Sequence, residues 1–188
     1  YRYGNLLTKI PFNENNNIIT KKNVVLQNTI WLPWIANNFS DFKDSITKMS
    51  IMPRIATIVV IKNQINEEIC MINTHLDYQI PSIQKRQLQA LKQIIEKYSN
   101  KYPIILTGDF NMEITDQNFK DFISDVKDKN LKRVEINEST WYDKNGNGKT
   151  LDHIFLPNDW DIQNAGIIDL KDTSDHKGIF VETNVKHK

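Results

Sequence analysis

The sequence predicts a layered α/β or α+β fold built on a mixed sheet. Short aliphatic runs of strand character outnumber the helical patterns, and the helical patterns fall between strands rather than at one end. No internal repeat or linker-like stretch divides the chain, and 188 residues suit one domain.

The opening "YRYGNLLTKIPF" has strand-like aliphatics punctuated by glycine and proline, and "NENNNII" (13–19) reads as an Asn-rich surface turn. "VVLQNTIWL" (24–32) alternates as a strand does. Residues 33–53 are irregular. Trp31, Trp34 and Phe39 lie in or beside them, either lining a cleft or anchoring the loop to the core. "RIATIVVIK" (54–62) and "EEICMINTH" (67–75) read as two strands joined by "NQIN" in a hairpin.

Leu88, Leu91, Ile95 and Tyr98 recur at helical spacing, with Ser82 as candidate N-cap after Pro81. "YPIILTG" (102–108) is the next strand. Phe119, Phe122, Ile123 and Val126 define a second helix, with Thr115 as its candidate cap. The Lys-rich "VKDKNLKR" (126–133) reads as a solvated helix end. A Gly/Asn loop within 139–157 leads into a strand, and 160–170 and 178–185 supply two more.

Bulk properties exclude some functions. Hydrophobic residues are 39% and charged residues 25%, an ordinary globular composition. A net charge of +1 gives no large basic field of the kind that binds nucleic acid or anionic membrane by electrostatics alone. It leaves room for a nuclease whose positive charge is local or supplied by a metal. The single cysteine, Cys70, rules out an intrachain disulfide. The aliphatic run "IATIVVI" is too short to span a bilayer, and no signal peptide is visible. The chain is therefore read as soluble, cytoplasmic or secreted, without a transmembrane segment, and as a monomer.

Four short stretches set Asp, Asn or His against an apolar strand: "NTHLD" (73–77), "GDFN" (108–111), "LDHIF" (151–155) and "SDHKGIF" (174–180). Sheet proteins gather active sites at strand ends, where the sheet holds the backbone still. Asp and Asn oxygens suit Mg²⁺ or Mn²⁺, and imidazole moves protons near neutrality. No cysteine pair, HExxH, GxSxG or P-loop is present, so a water activated beside a metal is the simplest nucleophile. Asp109 and Asn111 are two apart, and in extended chain both would project to one side and share one ligand. Asp152 and His153 are adjacent and would point oppositely, with the acid facing the site. Asp175 and His176, just before a strand, are both within reach of it. "DKNGNG" (143–148) resembles a calcium loop, but its twelfth position is Ile154, so it is read as a Gly-rich turn.

Taken in order and spacing, "NTHLD", "GDFN", "LDHIF" and "SDH" resemble the endonuclease/exonuclease/phosphatase superfamily with its deoxyribonuclease-I-like fold, and "PRIATIVVIK" resembles the arginine-bearing strand of some members. The resemblance runs from Arg54 to Val181. It implies a two-sheet sandwich of mixed β-sheets flanked by helices, and hydrolysis of phosphate esters with Mg²⁺ or Mn²⁺. It implies that His75 contacts the scissile phosphate or acts as an acid, and that Asp109 orients or deprotonates the attacking water and serves the metal. Asn111 would hold the phosphate or a metal-bound water. Asp152 would pair with His176 and fix its tautomer, Asp175 would serve the metal region, His176 would contact phosphate or act as base, and Arg54 would clamp a phosphoryl oxygen. The family normally begins with a strand carrying an Asn and a second ending in a metal-binding Glu. Neither is found before Arg54, so the domain is expected to be N-terminally incomplete; Glu113, on the same side as Asn111 in extended chain, could substitute as ligand but reads as a helix-proximal surface acid. The expected substrate is a phosphodiester, foremost nucleic acid. A lipid or inositol phosphate is the alternative within the enzyme class, and a non-catalytic phosphate- or partner-binding fragment the alternative outside it.

Overall fold

Strand β4 (Ile55–Lys62) is buried on both faces from Ile55 to Ile61, as a continuous run of mostly β-branched residues requires when a sheet is covered on two sides. The structure, a computed structural model, describes residues 2–3, 16–33, 52–63, 65–169 and 171–184. Trp34, Phe39 and residues 4–15 lie outside them; of the stretch read as an Asn-rich surface turn, Asn16 is buried, its Nδ2 donating to Ile55 O at 2.8 Å, and Ile18–Ile19 form a strand.

The elements run β1 (Arg2–Tyr3), β2 (Ile18–Ile19), β3 (Asn23–Trp31), β4, β5 (Glu68–His75), α1 (Pro81–Ser99), β6 (Ile104–Asp109), α2 (Gln117–Lys127), β7 (Leu131–Arg133), β8 (Trp141–Tyr142), β9 (Gly148–Lys149), β10 (Asp152–Pro157), β11 (Asp161–Ile168), a 3₁₀ turn (Lys171–Thr173) and β12 (Gly178–Asn184). Six strands form one mixed sheet in the order β3-β4-β5-β6-β10-β7. Among the described residues only β5 and β6 pair in parallel, and α1 is the crossover that a parallel pair needs.

One face of the sheet presents Ile58, Val60, Cys70, Ile72, Leu106 and Phe155 to the apolar faces of α1 and α2. The opposite face presents Val59, Ile61, Ile69, Ile154 and Leu156, covered by Ile18 and by Ala165, Ile167, Ile179 and Val181 of the antiparallel β11–β12 pair. The layers are thus helices, main mixed sheet and second sheet: the expected two-sheet α/β sandwich, with the second sheet an antiparallel pair among the described residues. Burial in the first core pushes the Cys70 thiol up to about 12, so it stays a neutral, packed side chain.

Both helix starts differ from expectation. Ile80 is the N-cap residue of α1 and makes no side-chain cap; Pro81 occupies the first turn, where its missing N–H costs nothing. Asp77 stands in for the cap, its Oδ1 accepting from Gln79 N at 2.9 Å and Ile80 N at 2.8 Å. For α2 the cap is Asp116, not Thr115, with Oδ1 accepting from Asn118 N and Phe119 N. The Lys-rich stretch also departs from a plain helix end. The chain leaves α2, turns through a left-handed Asn130 (φ 64°) and adds Leu131–Arg133 to the sheet edge beside β10, because Leu131 is buried there.

Candidate active site

Register assembles the site. In the parallel pair His75 sits opposite Asp109, and in the antiparallel pair beside it Asp109 sits opposite Asp152. Three chemistry-bearing side chains therefore stand abreast on adjacent strands at one end of the sheet. They share a face because cross-strand partners do. Alternation turns the next residue of β10, His153, into the helix-side core among Phe110 and Phe119, where its Nε2 meets Met112 O at 2.9 Å. Burial drops its pKa to about 4, so it is a neutral core group.

His176 arrives from the far end of the chain. Residue 176 bridges to Trp141 of β8, and Lys177 N donates to Thr140 O at 2.7 Å. Its Nδ1 lies 2.8 Å from Asp152 Oδ2, and its Nε2 lies 3.8 Å from Asp109 Oδ2. On the other side His75 Nε2 approaches the same Asp109 oxygen at 3.3 Å. Asp109 is thus the centre of a row with an imidazole on each flank, and all four side chains keep some exposure to solvent.

Electrostatics separates their roles. Burial raises the Asp109 pKa and the neighbouring Asp152 adds to this, while His75, the Asn111 N–H and His176 oppose it. The hydrogen bond to Asp152 raises the pKa of His176, against its own desolvation. An Asp–His pair of this form assigns the Nδ1 proton to the Asp152 side and leaves Nε2 turned toward the cleft.

Asn111 departs from the extended-chain expectation. Strand β6 ends at Asp109, and Asn111 is left-handed at φ 51°, so the two side chains do not simply alternate. Its N–H donates to Asp109 Oδ1 at 2.8 Å and its Nδ2 donates to Leu76 O at 2.9 Å. The side-chain amide therefore ties the turn after Asp109 to the turn after His75. Arg54 is buried, at 4% exposed. It immediately precedes β4, at the sheet end where β5 finishes, as the Ala56↔Thr74 pairing requires. Asp175, expected in the metal region, is exposed and stands outside the close group, though its charge adds to those favouring protonated His176. Glu113 also stands outside that group, and its carbonyl accepts from Asp116 N on the turn into α2.

Asp109, Asp152 and His176 each offer a ligand atom, all within 4.8 Å of one another. The donor set fits a small divalent cation. Two carboxylates supply hard oxygen, and the Asp109 anion, disfavoured by burial, would gain the positive charge it needs.

Sequence reasoning missed Thr140. It is fully buried, and its Oγ1 accepts from Leu151 N at 3.0 Å and Asp152 N at 3.2 Å, while its carbonyl holds Lys177. It couples the strand of Asp152 to the segment of His176. Its only sequence signal was its place in "STWYDKNGNGKTLDH", which reads as a loop.

A profile described as the Endonuclease/Exonuclease/phosphatase family matches residues 12–176. No curated protein matches at a significant level. Among solved structures, an endonuclease/exonuclease/phosphatase from Bacteroides vulgatus superposes with a TM-score of 0.70 at 19% identity, covering 90% of this chain and 69% of its own. A mannosyl-6-phosphatase from Bacteroides thetaiotaomicron gives 0.66 at 19% identity, over 90% and 70%. D. rerio TDP2 complexed with single strand DNA product gives 0.62 at 17% identity, over 86% and 68%. At these identities the likeness is one of fold.

Proposed function

Because the chain belongs to the endonuclease/exonuclease/phosphatase family, whose members hydrolyse phosphate esters, we propose that it is a divalent-metal-dependent phosphodiesterase with nucleic acid as its foremost substrate class. The observation that carries this reading is the row His75–Asp109–Asp152, joined by His176 through its 2.8 Å bond to Asp152. Asp109 and Asp152 would hold Mg²⁺ or Mn²⁺, with His176 beside them as a phosphate contact rather than a ligand. When bound, the cation polarises the phosphoryl oxygens and offsets charge as the ester bond breaks.

The protein's own groups do the rest. Asp109, central in the row, orients a water for in-line attack and takes up its proton, a task suited to a carboxylate whose pKa burial has raised. Asp152 holds His176 with Nε2 toward the cleft, where the protonated ring donates to a phosphoryl oxygen. His75, on the opposite flank of Asp109, protonates the leaving oxygen. Asn111 holds the turn that carries the row, and Arg54, at the same sheet end, adds positive charge behind the phosphate.

The substrate assignment rests on the NTHLD and GDFN stretches with the preceding PRIAT, which resemble nuclease-type members. Residues 1–188 are read as one domain, acting as a monomer. Among the described residues no helix is long and apolar enough to cross a membrane. The test is hydrolysis of bis(p-nitrophenyl) phosphate in Mg²⁺ or Mn²⁺, followed by a panel of single-stranded DNA, duplex DNA, RNA, sphingomyelin and inositol phosphates. Turnover that survives EDTA refutes metal dependence. Turnover confined to lipid or inositol esters refutes the nucleic-acid assignment, and phosphate binding without turnover of any ester refutes the enzyme.

A further inference from the structure

Two glutamines of α1 hold the turns that follow His75 and Asp109, and the mechanism above assigns them nothing. Gln84 and Gln87 are 5% and 0% exposed. A buried amide is costly unless its polar atoms find partners. Among the described residues their hydrogen-bond partners are backbone atoms. Gln87 Oε1 accepts from Asp77 N at 2.7 Å, and its Nε2 donates to Pro33 O at 2.8 Å. Gln84 Nε2 donates to Asp77 O at 2.8 Å and to Asn111 O at 3.4 Å. The N–H and C=O of Asp77, two residues past His75, are thus clasped by different glutamines, and one of these also reaches the carbonyl two residues past Asp109.

The two turns are laced to each other as well. Leu76 N donates to Asp109 O at 2.9 Å, and Asn111 Nδ2 donates to Leu76 O at 2.9 Å. Leu88, Leu91 and Ile95 already give α1 an apolar face, so packing alone does not call for amides in its first turns.

We infer that Gln84 and Gln87 are positioning residues that set the placement of His75 against Asp109 through the turns at 76–77 and 110–111. The inference rests on the phosphoesterase reading. Its test uses Gln84→Met and Gln87→Met, which keep side-chain length and apolar packing. The expected result is a kcat on bis(p-nitrophenyl) phosphate lower by about tenfold or more with KM little changed. The His75 ring cross-peaks in ¹H–¹⁵N spectra should shift as well, while Lys92→Ala, on α1 at an exposed pair with Asp125 of α2, changes neither readout. Gln84→Glu regains a donor only when its carboxyl is protonated, so its kcat relative to the wild type should rise as pH falls. Measured per folded molecule, a stability-only role would not produce that recovery.

Wild-type kcat with unmoved His75 cross-peaks in folded Met variants would overturn the inference, as would a flat pH ratio for Gln84→Glu. If the Met variants do not fold, Gln84→Glu carries the test alone. If the wild type does not hydrolyse the diester, the phosphoesterase reading is what fails, and the His75 cross-peaks then decide the clamp by themselves.

Discussion

Replacing Gly108 with alanine probes the junction on which the row depends. Gly108 faces Thr74 in the parallel pairing of β5 with β6, one residue before His75 faces Asp109. A Cβ on Gly108 would lie 2.1 Å from Thr74 O and 2.9 Å from Thr74 C, both backbone atoms of a central strand. Non-bonded carbon contacts settle nearer 3.5 Å, so the strands must part by about 1 Å. Strand β5 is paired on its other side to β4 and cannot yield without disturbing that ladder too. Overpacking of this kind costs about 1–3 kcal/mol. A displacement of about 1 Å at reacting groups costs about a hundredfold in rate. Urea unfolding reads the first effect, and turnover of bis(p-nitrophenyl) phosphate by the folded fraction reads the second. Gly146→Ala is the control: it has φ +83° and nothing within 4 Å of an added Cβ. It should lose about 1 kcal/mol from backbone strain with kcat unchanged. A Gly108→Ala protein with wild-type midpoint and wild-type kcat would refute both the strand packing and its link to the site.

Asp109→Asn should abolish turnover yet leave metal-free stability at neutral pH equal or higher. Burial raises this carboxyl's pKa, so its contribution to stability is present below the ordinary carboxylate range and is lost as pH rises; Mg²⁺ should raise the melting temperature of the wild type and not of the variant. Asp152→Asn should bring the His176 pKa down toward its ordinary value in an NMR titration, and should remove the stability that His176 supplies below the ordinary histidine pKa and loses as pH rises through its raised one. His153 acts in the opposite sense. Its neutral form is favoured in the fold, so its contribution is full above about 6.5 and is lost as pH falls toward about 4, and His153→Phe should flatten that acid limb of the urea midpoint. His176→Ala should lose most of the turnover with near-native circular dichroism; activity that survives both it and Asp109→Asn would refute the site.

The sequence by itself determined the layers and the ends of the strands that carry chemistry. Near-continuous apolar runs such as Ile55–Ile61 and the helical spacing of Leu88, Leu91 and Ile95 are local properties, and burial of their apolar faces leaves one arrangement of helices against a sheet. Alternation along β10 also separated Asp152 from His153 without knowledge of any neighbour. Tertiary structure decided what depends on pairing between distant segments. His75, Asp109 and Asp152 stand abreast only through the register of three strands, and His176 reaches them through Thr140 and Trp141, whose sequence context is that of a loop. The left-handed turn at Asn111 removed the extended geometry that its spacing from Asp109 implied, and the caps passed to Asp77 and Asp116 because backbone direction, not residue type alone, chooses which oxygen meets a free N–H. Side-chain periodicity is written along the chain, whereas the distance between two side chains from different strands is fixed by register and close packing, which exist only once the chain has folded.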